Sequence, residues 1–147
     1  MRPLTTRIAT GLVAVACLGA LGACSDDDTS TSTDPVEVEV GKAFSWDGFT
    51  VEDGWKLRAV ERSAGFEEVT TPEVRGTITN TSDEKRAALF EMVFSADGSP
   101  VATLSCSAPK MVTDQSQLFV CPGLSATMPK DYDAVVVQEF RRDTSSS

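Results

Sequence analysis

The side chains that could do chemistry in this sequence are few, and histidine, the commonest general base and metal ligand, is absent from it. Ser107 and Lys110 have the Ser-x-x-Lys spacing with which one helical turn sets a lysine beside a nucleophilic serine. Pro109 lies between them in a strand-like pattern, so that helix is not expected. We therefore predict no enzyme and no cofactor. Hydrolysis by a pair of carboxylates is the one catalytic route that the composition leaves open.

Acidic and sulfur side chains offer weak possibilities for metal binding. The acidic runs are Asp26–Asp28, Glu67–Glu68 and the pair Asp131 and Asp133. Calcium takes about six to eight oxygen ligands from a shaped loop, and none of these runs has EF-hand spacing. The methionines that could suggest a copper site are Met92, Met111 and Met128. Without histidine beside them, they are better explained by packing, and no metal site is predicted.

The N-terminal segment has the pattern of a secretory signal peptide. Arg2 and Arg7 precede an apolar run from Ile8 to Ala20, which falls short of the roughly 20 apolar residues that span a bilayer. Leu21-Gly22-Ala23-Cys24 follows and resembles the lipobox of bacterial lipoproteins. The resemblance implies that Cys24 is diacylated and becomes the new N-terminus. An ordinary signal peptide and an uncleaved anchor are the alternatives, and all three send the remaining chain out of the cytoplasm.

Acylation of Cys24 would attach the protein to the extracytoplasmic face of the cell membrane. Each buried CH₂ group contributes about 0.8 kcal/mol, and stable anchoring takes two or more acyl chains, which a diacylated cysteine supplies. The membrane is thus the first predicted partner, reached through Cys24.

Two cysteines remain for the folded domain. Cys17 lies in the apolar run that is removed and Cys24 is the acylation site, which leaves Cys106 and Cys121. The predicted compartment permits disulfides, so we expect these two to be bonded. The bond would close a loop of about 15 residues and contribute roughly 3 kcal/mol in the chain-entropy model. A redox pair would need a closer spacing.

The charge of the chain limits its partners. The formal net charge is −9, and removal of Arg2 and Arg7 leaves 11 basic and 22 acidic side chains, a net charge of −11. Nucleic-acid binding depends on lysine and arginine displacing counterions, so nucleic acid is not an expected partner. A polybasic contact with anionic lipid is disfavoured for the same reason.

Composition divides the chain into four parts: a signal peptide at 1–23, a tether at 24–35, one domain at 36–142 and a flexible tail at 143–147. From Ser25 to Asp34 the tether contains only serine, threonine and aspartate. Such a segment has no apolar surface to bury, and it is expected to be disordered and extended. The domain has the length of one ordinary folding unit.

The domain has the residue pattern of β-strands. Val36, Val38 and Val40 alternate with Glu37 and Glu39, as in a half-buried strand. Asp-Gly pairs between apolar runs are typical of tight hairpin turns, and they occur at Asp47-Gly48, Asp53-Gly54 and Asp97-Gly98. Residues 63–72 are interpreted as a loop, and 83–94 as a strand, although its residue types also suit a helix. The predicted fold class is all-β: an immunoglobulin-like antiparallel β-sandwich of about seven to eight strands.

A family resemblance supports this fold class. The segment from Val74 to Asp83 reads VRGTITNTSD, and an apolar strand ending in Phe94-Ser95-Ala96-Asp97-Gly98 follows. This arrangement resembles the FxLYD-type immunoglobulin-like domains of bacterial lipoproteins, and the chain's composition suggests an actinobacterial one. The resemblance covers about Val74 to Thr103 and departs from the family at the Tyr-Asp pair, which is Ala96-Asp97 here. It implies an envelope module and little about activity.

Trp46 and Trp55 flank the predicted hairpins and are candidates for an interaction patch if either is exposed. At least one is expected in the core. We predict a non-enzymatic binding or accessory role in the cell envelope, with an envelope protein or envelope component as partner. The alternative is a carrier of a small ligand or of a metal such as calcium or copper, presented at the membrane surface.

Overall fold

A computed structural model describes residues 31–141, and their regular structure consists of nine strands. The strands are β1 (Val36–Val38), β2 (Phe44–Trp46), β3 (Phe49–Val51), β4 (Lys56–Ala64), β5 (Glu67–Asn80), β6 (Arg86–Ala96), β7 (Ser99–Met111), β8 (Ser116–Pro122) and β9 (Ala134–Glu139). No helix in this part of the chain is long and apolar enough to cross a membrane. The predicted signal peptide, the acylation of Cys24 and the tail at 143–147 lie outside the described residues.

The strands form one antiparallel sheet that folds over itself. Their hydrogen-bonded order is β1-β9-β6-β7-β8-β5-β3-β2, and β4 also pairs with β5. β7 and β8 are in register at Ser107 and Val120, where the two layers of the sandwich join. Phe90 of β6 then contacts Phe119 of β8 and Trp46 of β2, with ring centroids 5.8 and 5.9 Å apart. The predicted antiparallel β-sandwich is confirmed, with nine strands in place of seven to eight.

The core lies between the layers because inward residues alternate with polar outward ones. On β7, Leu104 and Cys106 are buried while Ser105 and Ser107 are exposed. The largest fully buried side chains include Trp55, Phe90, Phe94, Phe119, Ile78 and Met92. Burial of such side chains, at roughly 1.5–3 kcal/mol each, supplies the main stabilisation of the domain.

Two of the three Asp-Gly pairs form the predicted hairpin turns. Asp47-Gly48 joins β2 to β3, with φ of 47° and 75°, and Asp97-Gly98 joins β6 to β7, with φ of 50° and 76°. Both central residues have positive φ, as a two-residue type I′ turn requires. Arg86 holds the first turn, because its Nη1 donates to the Asp47 carbonyl oxygen at 2.7 Å.

Asp53-Gly54 does not form the predicted hairpin. β3 and β4 both run antiparallel to β5 and pair with successive stretches of it, so that Val51 lies opposite Ile78 and Lys56 opposite Arg75. The chain therefore makes a jog between the two strands and keeps its direction. A glycine with positive φ can form part of a jog or of a hairpin turn, so the residues at this position do not distinguish the two.

The jog lets Trp55 enter the core. Its Nε1 donates to the Lys42 carbonyl oxygen at 2.7 Å, and its side chain packs over Gly76. A Cβ atom on Gly76 would lie 2.7 Å from the Trp55 Cβ, which is closer than real contacts allow. The same Cβ would lie 2.7 Å from Phe119 Cε1, so both aromatic side chains require glycine at position 76.

Residues 63–72 are not the predicted loop. They form the outer part of a long hairpin between β4 and β5, with Ala64 opposite Glu67 and Gly65 at φ 70° in the turn. Glycine with positive φ at the first turn position suits a type II′ turn. The other uncertain segment is confirmed as a strand, because β6 runs from Arg86 to Ala96.

The last residues of the predicted tether are hydrogen-bonded to the domain. The backbone carbonyl oxygen of Ser32 accepts a hydrogen bond from the Asp47 backbone N–H at 3.1 Å, and that of Asp34 accepts one from Trp46 Nε1 at 3.0 Å. These carbonyl groups satisfy donors at the edge strand β2, so residues 32–34 lie against the domain.

Candidate functional site

The structure does not support the tryptophan patch. Trp46 is 3% exposed and Trp55 is 1% exposed, so both belong to the core. Each indole N–H is satisfied by a backbone carbonyl group, Asp34 for Trp46 and Lys42 for Trp55. Aromatic side chains bury a large apolar area, and here the jog and the edge strand leave both of them inside.

Cys106 and Cys121 form a disulfide. They are directly opposite each other on β7 and β8, one position from the Ser107 and Val120 pair, and both are fully buried. The bond therefore joins the two layers of the sandwich at their junction. Its position is structural, since neither sulfur is accessible to a second thiol.

The other candidates do not assemble into sites. Ser107 and Lys110 lie on the strand β7, so the helical turn that their spacing would need is not formed. Asp133 accepts a hydrogen bond from the Asp97 backbone N–H at 3.0 Å. Met92 and Met111 are buried in the core. Among residues 31–141, no group of three or more histidine, cysteine, aspartate or glutamate side chains could hold a metal ion.

The most exposed element is the outer part of the β4–β5 hairpin, residues 59–70, which we call the arm. β8 begins to pair with β5 only at Glu73, so the arm strands pair with each other alone within the described residues. From Arg58, opposite Glu73, to Ala64 at the turn there are six residue steps, about 20 Å of strand. Phe66 lies at the tip and is fully exposed.

At the base of the arm, three guanidinium groups surround one buried carboxylate. We call Arg58, Arg62 and Arg75 the arginine cluster; the carboxylate belongs to Glu73, whose side chain is 3% exposed. Arg75 Nε donates to Oε1 at 2.6 Å, Arg58 Nη2 to Oε1 at 3.0 Å and Arg62 Nη2 to Oε2 at 3.1 Å. Arg62 Nε also donates to the Thr71 hydroxyl at 3.2 Å.

The register of β4 and β5 explains why these side chains meet. Arg58 is directly opposite Glu73, and Lys56 is opposite Arg75. Alternate residues of a strand share a face, so Arg62 lies on the same face two positions beyond Val60. The result is a basic face on a strongly acidic protein: four cations and one carboxylate.

The electrostatics of the cluster keep Glu73 ionised. The hydrogen bond from Arg75 lowers the pKa of Glu73 from its ordinary value of 4.5, burial opposes this by raising it, and the hydrogen bond from Arg58 lowers it further. The direction of the net shift is downward, because hydrogen bonds to the charged form outweigh the loss of solvent. The arginine side chains remain 36–54% exposed, so their outer faces are accessible.

A second surface feature is an open depression of about 730 Å³ beside β1 and the start of β9. Glu37, Glu39, Tyr132 and Asp133 are among the residues that line it. Its acidic lining is the opposite in charge to the basic face. The depression is wide and shallow, which suits a weakly held solute better than an enclosed ligand.

No protein-family model, curated protein or solved structure matches this chain.

Neither the arm nor the arginine cluster was predicted from the sequence. A signal for the cluster existed: Lys56, Arg58 and Arg62 have even spacing, as do Glu73 and Arg75, so each group lies on one strand face. The interpretation of 63–72 as a loop hid the pairing that brings the two groups together.

Proposed function

We propose that this protein is a lipid-anchored extracytoplasmic module with a non-enzymatic binding role in the cell envelope, and that the arm makes the contact. The observation that most strongly supports this proposal is the arm, which is about 20 Å of two-stranded ribbon with Phe66 exposed at its tip. Aromatic side chains are enriched among the residues that dominate protein interfaces.

The N-terminal pattern supports the location. A diacylated Cys24 would hold the domain at the outer face of the membrane, and the resemblance to immunoglobulin-like domains of lipoproteins agrees with this placement. The tether between Cys24 and the domain gives the arm reach toward a neighbouring envelope protein.

The test is site-specific photo-cross-linking in cells. A photoreactive side chain at position 64, beside the tip, is compared with one at Thr113, in the turn between β7 and β8. That turn lies at the opposite end of β5, since the Asp114 backbone N–H donates to the Asn80 carbonyl oxygen. We expect one recurrent envelope protein to be captured from position 64 and not from Thr113.

The second part of the test is whether capture from position 64 depends on the Phe66 side chain. We expect Phe66→Ala to reduce capture from position 64 by about tenfold or more, as loss of an interface anchor does. The stability of the domain should change by less than about 0.5 kcal/mol, because the side chain packs on nothing in the free protein. Equal capture with and without the Phe66 side chain would show that the arm is not the contact.

The alternative is a carrier of a small ligand or metal, and the observation that favours it is the acidic depression beside β1. A ligand that binds only the folded state raises the unfolding temperature. A rise on addition of Ca²⁺, which carboxylate oxygens suit, abolished by Glu37→Gln with Glu39→Gln, would favour the carrier over the binding module.

A further inference from the structure

We infer that the basic face at the base of the arm binds an acidic, extended segment of a protein partner, which adds to β4 as a further strand. The inference rests on the proposed binding function and gives its partner a chemistry. Three features carry it: the unpaired edge of β4, the prepositioned arginine cluster and the spacing of the cations along the strand.

The first feature is the outer edge of β4. This strand is nine residues long and pairs on one side with β5, and no other described strand pairs with its opposite side. Alternate residues of such an edge direct backbone N–H and C=O groups outward, where an extended peptide can hydrogen-bond to them. We call this the β4 edge.

The second feature is the arrangement of the guanidinium groups. Glu73 holds the three arginines of the cluster in place through its two carboxylate oxygens. One carboxylate neutralises one of the three positive charges, and among residues 31–141 no other carboxylate pairs with them. A guanidinium group has five N–H donors, so the cluster retains donors toward solvent. Their orientation is fixed before a ligand arrives, which lowers the entropic cost of binding.

The third feature is the spacing of charge. Lys56, Arg58 and Arg62 occupy even positions of β4, so they point to one face at intervals of about 7 and 13 Å. A strand paired along the β4 edge presents its own alternate side chains to the same face. Carboxylates at every second residue of the partner would therefore meet these cations, while the residues between them face the other side.

A phosphate-bearing envelope polymer would carry negative charge as an acidic peptide does, but it would lack the peptide backbone. Such a polymer has no peptide groups to pair with the β4 edge, so only a peptide uses both features at once. Anionic lipid is disfavoured because a bilayer surface would meet Glu67 and Glu68 at the exposed end of the arm together with the cluster, whereas a peptide strand can end short of them.

The experiment measures binding of fluorescent peptides to the full-length mature lipoprotein in nanodiscs of zwitterionic lipid, by fluorescence anisotropy. The first probe is a blocked seven-residue peptide of alternating glutamate and valine. The second replaces every glutamate by glutamine, and the third replaces the valines by proline, which keeps the charge but removes the strand-forming N–H groups. Inorganic phosphate and pyrophosphate serve as competitors.

We expect the glutamate-valine peptide to bind saturably and the two altered peptides to bind at least about tenfold more weakly, the loss expected for missing charge-assisted or backbone hydrogen bonds. The protein variant Arg58→Gln with Arg62→Gln should weaken binding by a similar factor. Lys110→Gln with Lys130→Gln, which removes two exposed cations elsewhere, should leave it unchanged. Circular dichroism confirms that each variant is folded.

Several results would overturn the inference. If the glutamate-valine peptide shows no saturable binding, the whole inference is wrong. If the glutamine peptide binds as tightly as the glutamate peptide, the site does not recognise charge. If the proline peptide binds as tightly as the glutamate-valine peptide, the site binds anions without strand addition. If phosphate or pyrophosphate displaces the glutamate-valine peptide at the same concentration of negative charge, the site is assigned to phosphate polymers instead. None of these results would change the Phe66-dependent capture in the photo-cross-linking experiment. Failure of the inference can therefore be distinguished from failure of the proposed function.

Discussion

Glu73 is the residue on which the chemistry of the surface depends. It lies on the outer face of the sheet, yet three arginine side chains cover it so completely that its carboxylate is nearly inaccessible. Removal of this one charge would leave three guanidinium groups repelling one another at short range. A single acidic residue thus holds three of the four cations of the basic face together.

Glu73→Gln is expected to destabilise the domain by about 2 kcal/mol, between the values for exposed and buried ion pairs, because the guanidinium groups are partly in solvent. Chemical denaturation at pH 7 measures the difference. Glu68→Gln is the matched control, since Glu68 is exposed on the same strand and should change stability by less than about 0.5 kcal/mol. A Glu73→Gln protein as stable as the wild type would show that the cluster contributes no net stability.

The same pair of proteins gives a pH dependence of known sign. The pKa of Glu73 is lowered in the folded state from its ordinary value of 4.5. The stabilisation from its charge is therefore fully present above about pH 4.5 and is lost as the pH falls through the folded-state pKa. The stability difference between wild type and Glu73→Gln should be constant from pH 7 to about pH 5.5 and shrink below pH 4.5. A difference that grows on acidification would contradict this assignment.

Among the elements, β5 has the most varied role. Its first half pairs with β4 to form the arm, and its second half pairs with β8 and β3 within the sandwich. The same strand thus carries an exposed ribbon and a buried core position such as Val74 or Ile78. A binding element built as the extension of a core strand is rigid at its base, which favours a defined contact geometry.

The junction of β7 and β8 depends on the Cys106–Cys121 bond. We expect reduction of this bond to lower the free energy of unfolding by roughly 3 kcal/mol, the chain-entropy value for a loop of 15 residues. Denaturation with and without dithiothreitol measures the loss. The control is Cys106→Ala with Cys121→Ala, which should be less stable from the start and insensitive to dithiothreitol. Two reactive thiols in the unreduced native protein would contradict the bond.

For the whole molecule, the proposed arrangement is a strongly acidic domain held near the membrane by lipid at Cys24. In this proposal a net charge of −11 after processing would keep the domain away from an anionic surface, so attachment would require the acyl chains. The basic face is then a local exception in an otherwise repelling surface. Long-range repulsion would suppress contacts with acidic envelope components that do not match that face.

Cys24→Ser is expected to abolish incorporation of labelled palmitate and to move the protein from the membrane fraction to the medium, or to leave it unprocessed. The reason is that the hydroxyl cannot form the thioether that holds the acyl chains. Cys17→Ser is the matched control, because Cys17 lies in the segment that is predicted to be removed and should leave labelling unchanged. Palmitate labelling and fractionation of cells measure both. Undiminished labelling of the Cys24→Ser protein would contradict the lipobox prediction.

The sequence by itself determined the fold class, two of the three Asp-Gly turns and the pairing of Cys106 with Cys121. These features depend on local chemistry: period-two alternation, positive φ at Asp-Gly, and the count of cysteines. The strand at 86–96 was also predictable, because its apolar residues share one face at that period.

Only the tertiary structure decided where Trp55 goes, what residues 63–72 form and which charges meet. Asp53-Gly54 has the same residue types as the two hairpin turns, but only its glycine has positive φ, and whether the pair forms a turn or a jog depends on whether β4 pairs with β3 or with β5. The arginine cluster likewise depends on register, since a shift of one residue would move Arg58 and Arg62 to the other face. Strand pairing is long-range in sequence, and residue types near a position do not determine its partner across the sheet.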